Sequence, residues 1–423
     1  MRIELINTGS ELMLGRVLNT HQQWICRRLA DAGYPVSRQT AVPDDGPSIL
    51  EAIREALPRA DLIITTGGLG PTSDDLTRDL VARQFGLALR EDARALANID
   101  SFFQSRKRPM PPSTRVQAQV PEGADVLYNE HGTAPGLAIP IQRPNEAANR
   151  RLPQWLILLP GPPRELHPMF HHQALPRIAA AYPREHPFFC RTLRTVGLGE
   201  SWVEERIGAA MAPLTGDGLE LGYCARTGEV DVRFTTQSSR GPELIATAER
   251  LARGLLGDAV FGVDDDTLEE ALLRELNARG RTVSFAESCT GGCVASRFTS
   301  VPGASQAFRG GVVAYHNEVK QELLGVSSEL IQAHGAVSKP VAAAMAEGAR
   351  RILRSDYAVS TTGIAGPGGG SVSKPVGLVY IGIATKETTK VVQKMNPWDR
   401  ETFQQVTSKQ ALDSLRRMVI GAG

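Results

Sequence analysis

Apolar positions in the first third of the chain alternate between two periods. "IELINTG" reads as a strand, and "NTHQQWICRRLADAG" as an amphipathic helix with Asn19 or Thr20 as cap and Gly33 as stop. "PVSRQTAV" and "GPSILEAIREAL" repeat the strand-then-helix order. "ADLIITTGG" is a continuous apolar run ending in glycines, as a parallel strand covered on both faces would be. "QWLILLPGPP" reads as a later strand of the same sheet, with "RKRPMPPSTR" as a loop between its elements. Strands alternating with helices of this length predict a doubly wound sheet.

Near residue 172 the pattern changes to strand, helix, hairpin, helix. Thr227-Gly228 marks the hairpin turn, and Val230, Val232 and Phe234 alternate onto one face. From about 258 the strand–helix alternation resumes. "TLEEALLRELNARG" opens on a Thr267-x-x-Glu270 capping box and places Leu268, Leu272 and Leu276 on one face. "TVSFAES", "GGVVAYH" and "DYAVSTTG" then read as strands ending in small polar loops, and "GLVYIGIAT" as the closing strand. The fold class expected is α/β: two three-layer α/β domains with mostly parallel sheets, residues 1–171 and 258–423, joined by a small α+β connector over 172–257.

Composition narrows the function classes. Lys plus Arg (47) nearly balance Asp plus Glu (46), and aromatics are 5%, which argues against a phosphate-neutralising or base-stacking surface. No nucleic-acid partner is expected. No apolar run reaches a membrane span, and Met1-Arg2-Ile3 begins a strand-like run and not a signal peptide. Five scattered cysteines without C-x-x-C spacing fit a reducing cytoplasm.

Candidate chemistry clusters at strand ends. In "SFAESCTGGCVASRF", Ser288, Cys289 and Thr290 stand where a strand passes into a helix, with Gly291 and Gly292 behind them. Such a corner welcomes an anion or a developing oxyanion, and equally it needs hydroxyl caps. Cys289 would have a lowered pKa at a helix N-terminus, but only His316 and His334 occur in this domain and no Cys-His-Asn pattern accompanies it. With Asn317 as cap, Lys320 falls in a first helical turn, where the dipole and burial favour a neutral amine able to act as base. A solvated lysine is the plain alternative. Tyr315 precedes it, and Thr361, Thr362 and Gly363 in "STTGIAGPGGG" end a third strand. That loop is neither a Walker A loop nor G-x-G-x-x-G.

In the first domain, Gly67, Gly68 and Gly70 of "TTGGLGPTSDD" permit close backbone approach to a ligand, with Thr72 beside them. Asp74 and Asp75 suit a divalent cation such as Mg²⁺ shared with a pyrophosphate, or cap the next helix. Asp44 and Asp45 either join that site or cap their own helix. His167 and His171 in "HPMFHH" have helical zinc-ligand spacing, but Pro168 and the missing glutamate make surface histidines the expectation.

Together "AESCTGG", "GGVVAYHNEVKQELLGV", "HGAVS" and "TTGIAGPGGGSVSKPVG" resemble the C-terminal domain of the CinA (competence/damage-inducible) family. That domain is associated with deamidation of nicotinamide mononucleotide. By position, the resemblance implies Ser288 as the hydroxyl of the hydrolytic site and Lys320 as its base. Tyr315 and Thr362 would assist, and Arg400 of "WDRETF" would hold the substrate's charge. No cofactor is implied there. "NTGSELMLG", "TTGGLGPTSDD", "HGTAPG" and "LPGPPREL" resemble the family's N-terminal domain, similar to molybdopterin-binding domains. That domain is associated with ADP-ribose pyrophosphatase activity dependent on a divalent cation, giving AMP and ribose 5-phosphate. A homodimer is implied as well. The chain departs from the family at Val372-Ser373, where acidic residues are usual, at Gln404 and Gln405, where arginine is usual, and in "MNPWDR". The rival class is a regulatory protein that binds a molybdopterin-type ligand or nucleotide without catalysis.

Overall fold

The computed structural model describes residues 1–142, 152–184 and 186–421. Two units result, Met1–Phe188 and Phe189–Gly423. In the first, the apolar runs become β1 (Ile3–Thr8), β2 (Arg38–Val42) and β3 (Leu62–Thr66). β4 (Leu89–Glu91) and β5 (Gln119–Pro121) form a separate ribbon. β6 (Asp125–Leu127), β7 (Gly136–Ile141) and β8 (Gln154–Leu159) complete the main sheet, ordered β2-β1-β3-β8-β7-β6. The first four strands are parallel, and β7 and β6 close the sheet antiparallel.

Strand period two explains the three layers. Leu62 and Ile64 face one core with Ile25 and Leu29 of helix Thr20–Asp31, while Ile63 faces the other with Ile49 and Ile53 of helix Gly46–Ala56. Asn19 caps the first helix by accepting the Gln22 N–H at 3.0 Å, and Asp45 caps the second through the Ser48 N–H at 2.9 Å. The Pro-rich stretch expected as loop contains a 3₁₀ segment, Pro112–Ala118. Helix Pro163–Met169 runs through a π-type turn, Phe170–Ala174, into helix Leu175–Ala181. Residue 172, expected as a domain boundary, thus lies inside a continuous helical segment. His167 is not a surface histidine: its ring stacks on Trp24 at 3.9 Å, and burial pulls its pKa down.

The second unit begins with β9 (Phe189–Val196), β10 (Leu219–Arg226), β11 (Glu229–Thr236) and β12 (Val260–Val263), an antiparallel sheet ordered β10-β11-β9-β12. Val230, Val232 and Phe234 pack beneath helices Glu200–Gly216 and Gly241–Leu256. The other face of β11 is also buried, because Glu229 and Asp231 pair with Arg194, at 3.2 and 2.9 Å. Lys409 of helix Arg400–Val419 reaches Glu229 at 2.8 Å, so this small sheet is tied to the larger one beyond it.

The larger sheet contains β13 (Val283–Glu287), β14 (Phe308–Val313), β15 (Tyr357–Gly363), β16 (Leu378–Ala384) and β17 (Thr389–Met395), ordered β14-β13-β15-β16-β17. β14, β13 and β15 are parallel; β16 and β17 are antiparallel additions. The run expected to close the sheet is β16, and β17 lies outside it. Lys390 and Lys394 break the apolar pattern of β17, as suits an exposed edge strand. The predicted capping box forms: Thr267 Oγ1 accepts the Glu270 N–H at 3.2 Å, and Glu270 Oε2 accepts the Thr267 N–H at 2.9 Å. Among the described residues no helix is long and apolar enough to cross a membrane.

On one face of this sheet Phe285 meets Phe298 and Phe308, with ring centroids 5.7 and 5.2 Å away. On the other, Ala286 and Ala358 admit helix Lys339–Leu353 through Val341, Met345 and Ala349. Phe285 is fully buried, so Phe285→Ala should cost about 3–5 kcal/mol in a denaturant titration of the second unit's unfolding.

Candidate functional site

Three parallel strands deliver the predicted residues of the second unit to one sheet edge. Ser288, Cys289 and Thr290 follow β13, Ala314 and Tyr315 follow β14, and Thr361, Thr362 and Gly363 end β15. The chain leaves β13 for β14 on one side and later returns to β15 on the other. The carboxyl edge around β13 is therefore a topological switch point, where open α/β sheets leave a crevice.

A residue given no role from sequence organises this corner. Glu287 is buried, and its Oε2 accepts hydrogen bonds from Thr290 Oγ1 at 2.7 Å, Gly292 N at 2.9 Å and Val294 N at 3.0 Å. Oε1 accepts from Ala295 N at 2.8 Å. Helix Cys293–Thr299 is thus capped by its own chain, not by the hydroxyls of Ser288 or Thr290, and its first amides are not open to an external anion. Gly291 and Gly292 carry the turn between the strand and this helix. Thr290 Oγ1 also lies 2.7 Å from Thr361 Oγ1, which links β13 to β15.

Ser288 is half-buried. Its N–H donates to the Thr361 carbonyl at 2.9 Å, while its hydroxyl makes no hydrogen bond among the described residues. Cys289 is enclosed beside Thr361, and burial pushes its thiol up to about 12, opposite to the lowering expected at a helix N-terminus.

Lys320 is only 1% exposed. Helix Asn317–Glu322 has His316 as N-cap, so Asn317 is its first residue and Lys320 lies in its last turn. In so short a helix the fourth residue stands one turn from either end, and the dipole expected of a first-turn position is not among the causes that move its amine. Burial instead lowers the amine's pKa, and Nζ donates to the carbonyls of Ala314 at 2.8 Å and Tyr315 at 3.0 Å. These two carbonyls follow β14, so the amine is held at the same carboxyl edge as the strand end of β13.

Arg400 joins the same edge from the start of its helix. Its Nη2 donates to the Tyr315 hydroxyl at 2.5 Å and its Nη1 to the Gly366 carbonyl at 3.1 Å. Thr362 Oγ1 donates to the Ala336 carbonyl at 2.8 Å, binding the "HGAVS" segment to the edge. The two glutamines diverge. Gln404 Nε2 donates to the Cys289 carbonyl at 3.1 Å, whereas Gln405 Oε1 accepts from Arg297 at 3.0 Å, within the helical layer. Val372 is fully solvent-exposed in the Ser371–Lys374 turn.

In the first unit, the glycine loop after β3 borders a cavity of about 300 Å³ lined by Gly68, Gly70, Asp75, Thr133, Gly161 and Glu165. Gly67 donates its N–H to the Leu159 carbonyl at 3.0 Å, joining the loop to β8. At Gly68, φ is +68° and a Cβ would stand 2.0 Å from Thr77 Oγ1, so glycine is required there. Asp75 Oδ2 accepts from Thr72 N at 3.0 Å and from its hydroxyl, which folds the loop on itself. Asp74 is exposed, and hydrogen bonding within this loop holds its carboxyl below the usual range.

Asp44 accepts from the Ser10 hydroxyl after β2, a strand that β1 separates from β3, and Asp45 serves its helix cap. Among the described residues no three His, Cys, Asp or Glu side chains lie together as a metal cage. Asp74 and Asp75 suit a cation that brings most of its oxygens from substrate and water.

The profile described as "CinA C-terminal domain" matches residues 265–419. "Probable molybdopterin binding domain" matches 4–180, and "Damage-inducible protein CinA KH domain" matches 190–262. A relative from Caldicellulosiruptor bescii, named for competence-damage induction, is 43% identical over 423 residues, covering 99% of this chain and 100% of that one. A "CinA-like protein" of Akkermansia muciniphila is 42% identical, covering 98% of this chain and 97% of its own. Among solved structures, the competence/damage inducible protein CihA of Agrobacterium tumefaciens is 37% identical over 37% of this chain and 93% of its own, with a TM-score of 0.34. With relatives this similar over nearly its whole length, the chain belongs to the CinA family.

Proposed function

We propose that the protein is a bifunctional hydrolase of pyridine-nucleotide salvage. Its C-terminal domain hydrolyses the carboxamide of nicotinamide mononucleotide, and its N-terminal domain cleaves the pyrophosphate of ADP-ribose. The observation that carries the first activity is the convergence of Ser288, Lys320 and the Thr361–Thr362 strand end at one sheet edge. A neutral lysine has two N–H groups and one lone pair. With both N–H groups held by the Ala314 and Tyr315 carbonyls, the lone pair of Lys320 remains to take a proton.

The Ser288 oxygen bonds to the amide carbon while its proton passes to Lys320. The C–N bond then breaks, and Lys320 returns the proton to the departing ammonia. Water hydrolyses the ester by the same route and restores Ser288. In this turn the Thr290 N–H has no acceptor among the described residues, which makes it the donor for the oxyanion. Since Glu287 occupies the helix amides, the 5′-phosphate falls to Arg400, whose guanidinium stands at the rim with Tyr315.

For the second activity, the glycine loop approaches the pyrophosphate, and Asp74 and Asp75 would hold a divalent cation arriving with it. When bound, that cation supplies charge neutralisation at the phosphoryl oxygens.

Ammonia release from nicotinamide mononucleotide should fall by about 100-fold or more in Ser288→Ala and in Lys320→Ala. No release by wild type would sink the deamidase assignment. Because Lys320 acts as the neutral amine, kcat/KM should decline as pH drops through its lowered pKa, giving an acid limb below the ordinary lysine value of about 10.4. Cys289→Ala should keep activity within about threefold, since a thiol titrating near 12 supplies no thiolate at neutral pH. Metal-dependent AMP formation from ADP-ribose should vanish when Asp74 and Asp75 are both replaced by Ala.

A further inference from the structure

Glu165 takes no part in the chemistry described so far, yet it is a buried carboxyl group at the junction of two cavities. It is 7% exposed. It lines the cavity of about 300 Å³ at the glycine loop and a second one of about 460 Å³ walled by Arg94, Tyr128, Asn129 and His131. The arrangement is built. Asn129 Nδ2 donates to Glu165 Oε2 at 2.7 Å and to the Ala134 carbonyl at 2.8 Å, and Asn129 Oδ1 accepts the His131 N–H at 3.0 Å. Every polar atom of that amide is engaged, so its orientation is fixed. A Cβ at Gly132 would stand 2.1 Å from the Glu165 carboxyl carbon, so the absence of a side chain there makes room for the acid.

A glutamate in a first helical turn is often explained by the helix dipole. Glu165 does lie in the first turn of helix Pro163–Met169, but its carboxylate is bonded by Asn129 from the loop after β6. Burial raises its pKa, and the Asn129 hydrogen bond opposes that rise. The Arg164 guanidinium, 3.9 Å away, and the titratable His131 ring are the groups that act on it most directly. Arg94, Glu130 and His172 line the larger cavity, and Asp75 the smaller.

We propose that Glu165 is the proton acceptor for the water that attacks the pyrophosphate in the N-terminal domain, with Asn129 as its positioning residue. This rests on the ADP-ribose reading above. The water oxygen forms a bond to one phosphorus, and the bridging P–O bond breaks with its electron pair leaving on the departing phosphate. One water proton passes to Glu165, which releases it to solvent. Two cavities meeting at this carboxylate suit a substrate with a sugar or nucleoside on each side of a pyrophosphate. The larger cavity offers the Tyr128 ring, with the Arg94 guanidinium carbon 3.9 Å from its centre.

The test is AMP release from ADP-ribose with a divalent cation across a pH series, for wild type, Glu165→Gln, Glu165→Asp and Asn129→Ala. Glu165→Gln should lower kcat by about 100-fold or more while KM stays within about threefold. Glu165→Asp should restore part of the rate. Wild type should show an acid limb above the ordinary glutamate value of about 4.3. Asn129→Ala should move that limb to higher pH, because it removes a hydrogen bond that favours the ionised carboxylate. A merely structural role would leave the limb in place. Because Glu165→Asp and Asn129→Ala keep the carboxylate, a folding defect confined to Glu165→Gln does not decide the result. Wild type releasing AMP beside Glu165→Gln of unchanged kcat, or an unmoved limb in Asn129→Ala, overturns this assignment alone. Wild type releasing no AMP overturns the ADP-ribose reading and this assignment with it.

Discussion

The Glu287 carboxylate, enclosed at the end of β13, accepts four hydrogen bonds from the turn and helix that follow it. A buried carboxylate is costly unless its oxygens are satisfied, and here backbone amides and one threonine hydroxyl satisfy them. The strand end and the helix start are thereby locked together, which fixes Ser288 and Cys289 in the turn between. Thr290 passes the constraint on to Thr361 and so to β15. The corner's stiffness and its selectivity have one source. The helix N-terminus is thereby already used by the chain itself, and the cationic group at this edge is Arg400, bonded to Tyr315 and the Gly366 carbonyl.

Lys320 shows how the same edge shifts a titration without an ion-pair partner. Its amine is buried against backbone carbonyls, and the loss of water lowers its pKa. Cys289, under the same enclosure, is driven the other way, because burial disfavours the charged form of each group. Enclosure at one edge thus disfavours both the ammonium and the thiolate. The ion-paired sheet of β9–β12 stands behind this domain, held through Lys409 of the helix that also carries Arg400 and Gln404.

The N-terminal unit builds a comparable strand-to-glycine junction with different means. Asp75 folds its loop through Thr72, Gly68 yields space to Thr77, and Glu165 is held from a separate loop by Asn129. Backbone of the glycine loop and the side chains of Asp75, Gln117, Thr133 and Glu165 line the one cavity.

Much of this was legible in the sequence. Two-residue and 3.6-residue periods marked β1, β2, β3 and β8 of the first sheet and β13 to β16 of the second, and local hydrogen-bond chemistry offered the caps that form at Asn19, Asp45 and Thr267, while β6 and β7 went unmarked. The strand-end position of Ser288, Thr362 and the glycine loops was equally local, and the ordered motifs around them identified the family. Local pattern did not reveal that Glu287 caps the helix, that Lys320 lies in a last turn, or that only Gln404 of the glutamine pair touches the site. Nor did it mark β17, whose lysines hide an edge strand, or Glu165, which was given no role within "LPGPPREL". Sequence spacing fixes what neighbours along the chain can do. Burial, and contacts such as that of Asn129 with Glu165 across 36 positions, exist only once the sheets have packed, and they decide which polar groups are spent on structure and which remain for chemistry.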